Sequence, residues 1–302
     1  MSRNSINGDK MIEYKNAGIR GKDAKEFLEC YGNRIFNAVE NSPSTVVALP
    51  QAGFRGLAAR EYLLLRGLGD VKYVELVDNG KADFYSSDVK GRCIITIGNI
   101  EDMKMSDLKF AASDKGATHV EQFGTKADSE HHIIDIEEYD SIGTRQQSMR
   151  EFADCVAPRV AEYLSGRPIV VVPIMSGAVW EGMSFAEAMR LLGVDANYAE
   201  VEKGQPKIYK GLTEGRICAL VDDSIATGSA FRRVVGTLKP LQKSRNIPEF
   251  IYVVDEDKRG TGADVVDGVR IFSHSGLRGD DPVATPANSG LTGAVFGRYH
   301  LV

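Results

Sequence analysis

The chain has 302 residues, 43% of them hydrophobic and 26% charged, and its 37 Lys and Arg against 42 Asp and Glu give a formal net charge of −5. This length holds one large domain or two ordinary ones. The mild acidic excess argues against nucleic acid or an anionic membrane as the main partner, because both select for basic surfaces.

The opening stretch MSRNSINGDKMIEYKNAGIRG lacks the apolar core of a signal peptide. No apolar run approaches the roughly 20 residues of a membrane helix. Cys30, Cys93, Cys155 and Cys218 form no CxxC pair, so a zinc or redox motif is not expected. A reduced, cytoplasmic protein is the expectation. Cys93 and Cys218 sit in apolar runs, where a thiol packs as a small hydrophobe.

In chain order, a helix is predicted over AKEFLECYGNRIFNAVE, then a β-rich run, TVVALP. A Gly-containing turn leads into a second helix, LAAREYLLLRG. Another strand, a Gly-polar loop and a third apolar run, GRCIITI, follow. His131 and His132 come next, with no partner ligands spaced for a metal, and read as a solvated turn. The pattern then repeats as QQSMREFADCVAPRVAEYL, IVVVPI, MSFAEAMRLLG and GRICALV. Cys30 recurs as Cys155, Gly53 as Gly177, Gly69 as Gly193, Gly80 as Gly204, and Gly91-Arg92 as Gly215-Arg216, at a spacing held to within one residue. Strands alternating with helices imply crossover units and a mainly parallel sheet. Continuous apolar strands imply sheets covered on both faces. The expectation is two tandem α/β domains, 1–145 and 146–302, each a mainly parallel sheet flanked by helices.

The copies diverge at one place. Asp222 and Asp223 follow the strand ICALV, where the first copy has Gly98 and Asn99. Thr227, Gly228 and Ser229 then turn into the helix SAFRRVVGTLK, with Phe231, Val234, Val235 and Leu238 on one face. In a parallel sheet, ligands bind beyond the carboxyl ends of the strands. The turn offers backbone N–H groups, two hydroxyls and a helix N-terminus, which suits a phosphate, and Gly228 lets the backbone approach it. The two acids can accept hydrogen bonds from sugar hydroxyls or lie near a hydrated Mg²⁺. The plain alternative is a helix cap.

The string ALVDDSIATGSAF resembles the phosphoribosyl diphosphate (PRPP) binding motif of the type I phosphoribosyltransferase superfamily. The resemblance implies two tandem phosphoribosyltransferase-like domains, the first degenerate and the second carrying the intact motif and a C-terminal hood. Asp222 and Asp223 would hold the ribose, and Ala226, Thr227, Gly228, Ser229 and Ala230 the 5-phosphate. VVVPIMSGAVWEG resembles the family's diphosphate loop, so Met175, Ser176 and Gly177 would present N–H groups to the diphosphate. That turn has no basic residue, unlike many family members. VEKGQPKIYKGLTEG stands where the family has a mobile catalytic loop. Lys203, Lys207 and Lys210 are its candidates to close over the diphosphate, against the reading of a solvated loop. Mg²⁺ is the implied cofactor, reached by Asp222 and Asp223 indirectly, through ribose hydroxyls or water.

The implied activity is Mg-dependent transfer of ribose 5-phosphate from PRPP to a nucleobase or amine, with release of diphosphate. The catalytic candidates are Asp222, Asp223, Lys203 and Lys207. The partners are then PRPP and a small acceptor, with a homo-oligomer left open. The tandem layout is also similar to that of ribose-phosphate diphosphokinases, which make PRPP from ATP. A non-catalytic regulator that binds PRPP or a nucleotide is the third reading. Trp180 is read as core rather than as a stacking platform, and DEDKRG at 255–260 as a charged turn.

Overall fold

The computed structural model describes residues 22–39, 42–49, 52–75, 86–98, 105–123, 151–174, 178–200, 210–244, 246–259, 265–266 and 268–276. These fall into two compact units, one up to residue 123 and one from residue 151. The join expected near residues 140–150, the C-terminal stretch after residue 276, His131 and His132 lie outside the described residues.

The first unit runs α1 (Lys22–Val39), β1 (Ser44–Ala48), α2 (Gly53–Leu65), β2 (Val71–Glu75), α3 (Ser86–Val89), β3 (Cys93–Ile97), α4 (Met105–Asp114) and β4 (His119–Phe123). Its sheet has the order β2-β1-β3-β4, and every pairing is parallel. β1 and β3 are buried along their whole length, as their unbroken apolar runs require of strands covered on both faces. One layer of the core packs Val47, Val74 and Ile94 against Leu108 and Ala112 of α4.

The second unit runs α5 (residues 151–164), β5 (Ile169–Pro173), α6 (Val179–Leu191), β6 (Ala196–Tyr198), α7 (Lys210–Thr213), β7 (Ile217–Ile225), α8 (Ser229–Ser244), β8 (Phe250–Asp257), β9 (Val265–Val266) and β10 (Val269–Gly276). The sheet order is β6-β5-β7-β8-β10-β9, parallel throughout except for the antiparallel edge strand β9. Both units are therefore α/β, each built on a mainly parallel sheet flanked by helices.

The strands β6-β5-β7-β8 stand in the same order as β2-β1-β3-β4. An arginine clamp occurs in each. Arg92 donates to the Asp70 carboxylate at 2.8 Å and to the carbonyls of Asp70 and Ser44 at 3.0 and 2.6 Å. Arg216 donates to the Asp195 carboxylate at 2.8 Å and to the Asp195 carbonyl at 2.9 Å. Arg92 thus ties the start of β1 to the loop before β2, and Arg216, which also donates to the Ile169 carbonyl at 3.5 Å, ties the start of β5 to the loop before β6, each with the planar fork that suits several oxygens at once.

Two local expectations are corrected. The helices after β1 and β5 begin earlier than their periodicity indicates, so glycines read as turn signals stand inside them. A Cβ on Gly56 would lie 2.7 Å from the Ala48 Cβ, and one on Gly182 would lie 3.1 Å from the Pro173 Cβ. These glycines let α2 and α6 close onto β1 and β5. The left-handed residues that follow the two helices are Gly67 (φ 91) and Gly193 (φ 82), so Gly69 is not the counterpart of Gly193. Among the described residues, no helix is long and apolar enough to cross a membrane.

Candidate functional site

The chain goes from β5 outward to β6 and returns past β5 to β7 and β8. The strand order therefore reverses between β5 and β7, and the crevice at the carboxyl ends of those two strands is where an open α/β sheet holds ligands. β7 supplies Asp222 and Asp223 to this edge. The expected strand end before Asp222 is corrected: β7 continues to Ile225, pairing with β8 as far as Ile225↔Asp257. On the β5 side the ladder stops at Pro173↔Val221, closed by the Ile174 N–H to Val221 O at 2.7 Å. The acids thus stand past the end of one neighbouring strand and beside the other.

The two carboxylates have different surroundings. Asp222 is buried, 7% exposed, whereas Asp223 is exposed. Oδ1 of Asp222 accepts the Asp223 N–H at 3.1 Å, and Oδ2 accepts the Tyr252 phenol at 2.6 Å. Burial pushes the Asp222 carboxyl up to about 7; the Tyr252 hydrogen bond works against that, and the neighbouring Asp223 carboxylate adds to it. Burial and the Asp222 charge likewise raise the Tyr252 phenol. Asp223 accepts the Ser224 N–H on Oδ1 at 2.8 Å. Asp222 is therefore an internal carboxyl with a raised value, and Asp223 is the carboxylate open to solvent.

Tyr252 has no functional signal in the sequence, where it is one apolar position of the strand FIYVVDED. It reaches Asp222 because the register pairs Leu220 with Tyr252 and Asp222 with Val254, and residues two apart share a face. Its ring stacks on Phe231 of α8 with centroids 4.5 Å apart. The apolar face of α8 thereby fixes the phenol that holds Asp222.

The turn after β7 contains Ala226, Thr227 and Gly228, and α8 begins at Ser229 and Ala230. Gly228 has φ 71, a left-handed conformation that costs other residues strain. Thr227 Oγ1 lies 3.2 Å from Ser229 Oγ and accepts the Ser229 N–H at 3.3 Å. α8 has no acidic residue in its first turn. It is longer than the expected SAFRRVVGTLK and carries Pro240 inside it. Phe231 and Leu238 are buried and Val234 and Val235 half-buried, so the apolar stripe does face the unit's interior.

Met175, Ser176, Gly177, Lys203 and Lys207 lie outside the described residues. Lys210 opens α7. Trp180 is 9% exposed near the start of α6, a core position as expected. In the 255–260 segment, Asp255 Oδ1 lies 2.8 Å from His274 Nδ1 on β10, and Glu256 pairs with Lys258 at 2.9 Å. Burial works to raise the Asp257 carboxyl, but hydrogen bonds from Arg259 and its charge overcome that and hold it below the ordinary carboxylate range.

The first unit has no such arrangement at the matching place. Leu49 N–H donates to Ile97 O as Ile174 N–H does to Val221 O, so Gly98 occupies the position of Asp222. A Cβ on Gly98 would lie 2.9 Å from the Ala52 Cβ and 3.0 Å from the Leu49 Cβ. A carboxylate cannot be placed there without moving the chain after β1.

Cys93 and Cys218 act as packing groups. Burial pushes the Cys93 thiol up to about 11 and raises Cys218 as well. Among the described residues, no group of three His, Cys, Asp or Glu side chains is placed to hold a metal ion.

No family model matches the chain, and no curated protein matches it. Among solved structures it is similar to the hypoxanthine phosphoribosyltransferase of Trypanosoma cruzi, at 18% identity over 42% of this chain and 77% of that one, with a TM-score of 0.33. The same organism's enzyme in complex with the product IMP gives 17% identity, 44% and 73% coverage, and a TM-score of 0.32. Likenesses this distant carry no functional weight, and the chemistry of the site rests on the residues of β7, α8 and β8.

Proposed function

We propose that this chain is a phosphoribosyltransferase, which binds PRPP at the carboxyl end of β7 and transfers its ribose 5-phosphate to a nucleobase or amine. The observation that carries the reading is the continuous stretch from Asp222 to Ala230. It brings a solvent-facing carboxylate, a buried carboxyl and a left-handed Gly turn at the start of a 16-residue helix to one edge of the sheet. That is a diol acceptor next to an anion cradle, as a sugar phosphate requires.

In this reading the 5-phosphate sits on the N–H groups and hydroxyls of Thr227 to Ala230, where the positive end of α8 favours it. Asp223 accepts the ribose hydroxyls. Asp222 holds its neighbour's backbone in place from inside, through the Asp223 N–H. An acceptor nitrogen then bonds to C1 of the ribose as the C1–O bond to diphosphate breaks, and the acceptor's proton is lost. Fixing both partners in line lowers the barrier mainly by positioning. Lys203 and Lys207 are assigned to the closing loop, and Met175, Ser176 and Gly177 to the diphosphate, on the sequence resemblance alone.

The donor set fits Mg²⁺ only as an ion that arrives with the ligand. Both oxygens of Asp222 already accept hydrogen bonds, which leaves Asp223 as the carboxylate able to meet a hydrated ion. When bound there, the ion would offset negative charge on the leaving diphosphate. The shared strand order and the paired arginine clamps support reading the chain as a duplicated unit whose first copy lacks the acids. That layout also keeps a second reading, a diphosphokinase that makes PRPP from ATP.

Calorimetric titration with PRPP, with and without Mg²⁺, tests the proposal. Mg²⁺-dependent binding followed by diphosphate release with one member of a base panel is the expected result. Absence of PRPP binding overturns it. AMP formed from ATP and ribose 5-phosphate selects the second reading instead.

A further inference from the structure

Resting on the ribose-phosphate reading above, we propose that Arg232 is a direct ligand of the substrate's 5-phosphate and supplies the cation that the motif itself lacks. Residues 226–230 contain no basic side chain, so the turn offers a phosphate dianion dipoles but no full positive charge. Side chains on a helix lean toward its N-terminus, and Arg232 does so here. Its Nη1 donates to the Thr227 carbonyl at 3.1 Å. Its Nη2 lies 3.8 Å from the place where a Gly228 Cβ would stand, in ordinary contact with the turn. Its backbone N–H meanwhile donates to Gly228 O at 2.9 Å. The guanidinium is therefore anchored against the turn assigned to the 5-phosphate.

The charge arrangement points the same way. A cation in the first turn of a helix opposes the macrodipole, which favours anions there. α8 carries Arg232 and Arg233 in that region and no acid in its first turn. A dianion seated at the turn reverses the sign of this interaction, because it is attracted by both the helix end and the guanidinium. Arg suits the role through its fixed fork of N–H donors, which can hold the Thr227 carbonyl and a phosphate oxygen together. The ligand class is a sugar phosphate with a terminal phosphate monoester, and Arg232 would set the preference for it over the unphosphorylated sugar.

The test is calorimetry with ribose 5-phosphate and with PRPP, on wild type, Arg232→Gln, Arg232→Lys and Arg233→Gln, with thermal melts as a check on folding. Arg233 is exposed one residue further on, so its variant removes the same charge from the same helix end. Loss of a charge-assisted contact predicts affinity for both ligands weakened on the order of 10-fold or more in Arg232→Gln. Arg232→Lys should fall in between, and Arg233→Gln should stay within about 2-fold of wild type, as expected of a solvent-screened charge. Unchanged affinity in Arg232→Gln, or an equal loss in Arg233→Gln, overturns the assignment and leaves the ribose-phosphate reading standing. Failure of wild type to bind either ligand overturns both.

Discussion

The phenol of Tyr252 donates a 2.6 Å hydrogen bond to Oδ2 of Asp222, joining β8 to β7 inside the second unit. Both groups are shielded from water, and the bond favours the charged form of the buried carboxyl against the cost of its burial. Removing the hydroxyl by Tyr252→Phe keeps the ring stacked on Phe231 but strips Oδ2 of this donor. The expected cost is about 1–3 kcal/mol at pH 8. At pH 5, where Asp222 is protonated, the cost should be smaller. Urea unfolding at the two pH values measures it, and equal costs would show that the phenol serves packing alone.

Asp222 should also make stability depend on pH. Its folded value, about 7, stands above its ordinary value of 3.8. A group raised on folding contributes stability that is complete below the unfolded value and is lost as pH rises through the folded one. The window is therefore about pH 4 to 7, and the ceiling on the loss is about 4 kcal/mol. Asp222→Asn removes the titration while its amide oxygen can still accept from Tyr252. Wild type should lose stability relative to this variant between pH 5 and pH 8. A difference that stays flat across the range would contradict the buried, raised carboxyl.

The double variant Asp222→Asn with Asp223→Asn should remain folded and lose PRPP affinity by about 10-fold or more, because neutral amides accept hydrogen bonds from hydroxyls less strongly than carboxylates. Calorimetry on the folded protein decides this. Unchanged affinity would remove the acids from the ribose site.

Gly228→Ala separates backbone from contact effects. A Cβ there would meet nothing closer than 3.7 Å, so the cost comes from holding an L-residue at φ 71, about 1 kcal/mol. Ribose 5-phosphate binding should weaken as well, since relaxation of the turn moves its N–H groups. A variant as stable and as tight-binding as wild type would contradict the left-handed turn.

Gly56→Ala and Gly182→Ala should be destabilising for a different reason, with the first the more costly. The new Cβ at 56 would approach Ala48 to 2.7 Å, against 3.1 Å from Pro173 at 182. Forcing α2 off β1 should cost about 1–3 kcal/mol. Thermal melts that reverse the order would show that the helix–strand approach is not limited by these glycines.

The sequence by itself determined the α/β class. Unbroken apolar runs alternating with amphipathic stretches are best satisfied by buried parallel strands and covering helices, and that information is local. It also placed the 222–230 string at the passage from a strand to a helix, because strand runs and a helix's i, i+4 stripe are read from neighbours in the chain. Where Asp222 lies relative to the strand end is not legible there, since two acids look like a stop signal and β8 pairing overrides it. The tertiary structure alone decided that Asp222 is internal and Asp223 open, that Tyr252 holds the first, and that Gly56 and Gly182 belong to helices. Each depends on residues brought together across the sheet. Burial, register and close approach are set by the partner strand or helix, and no spacing along the chain encodes them.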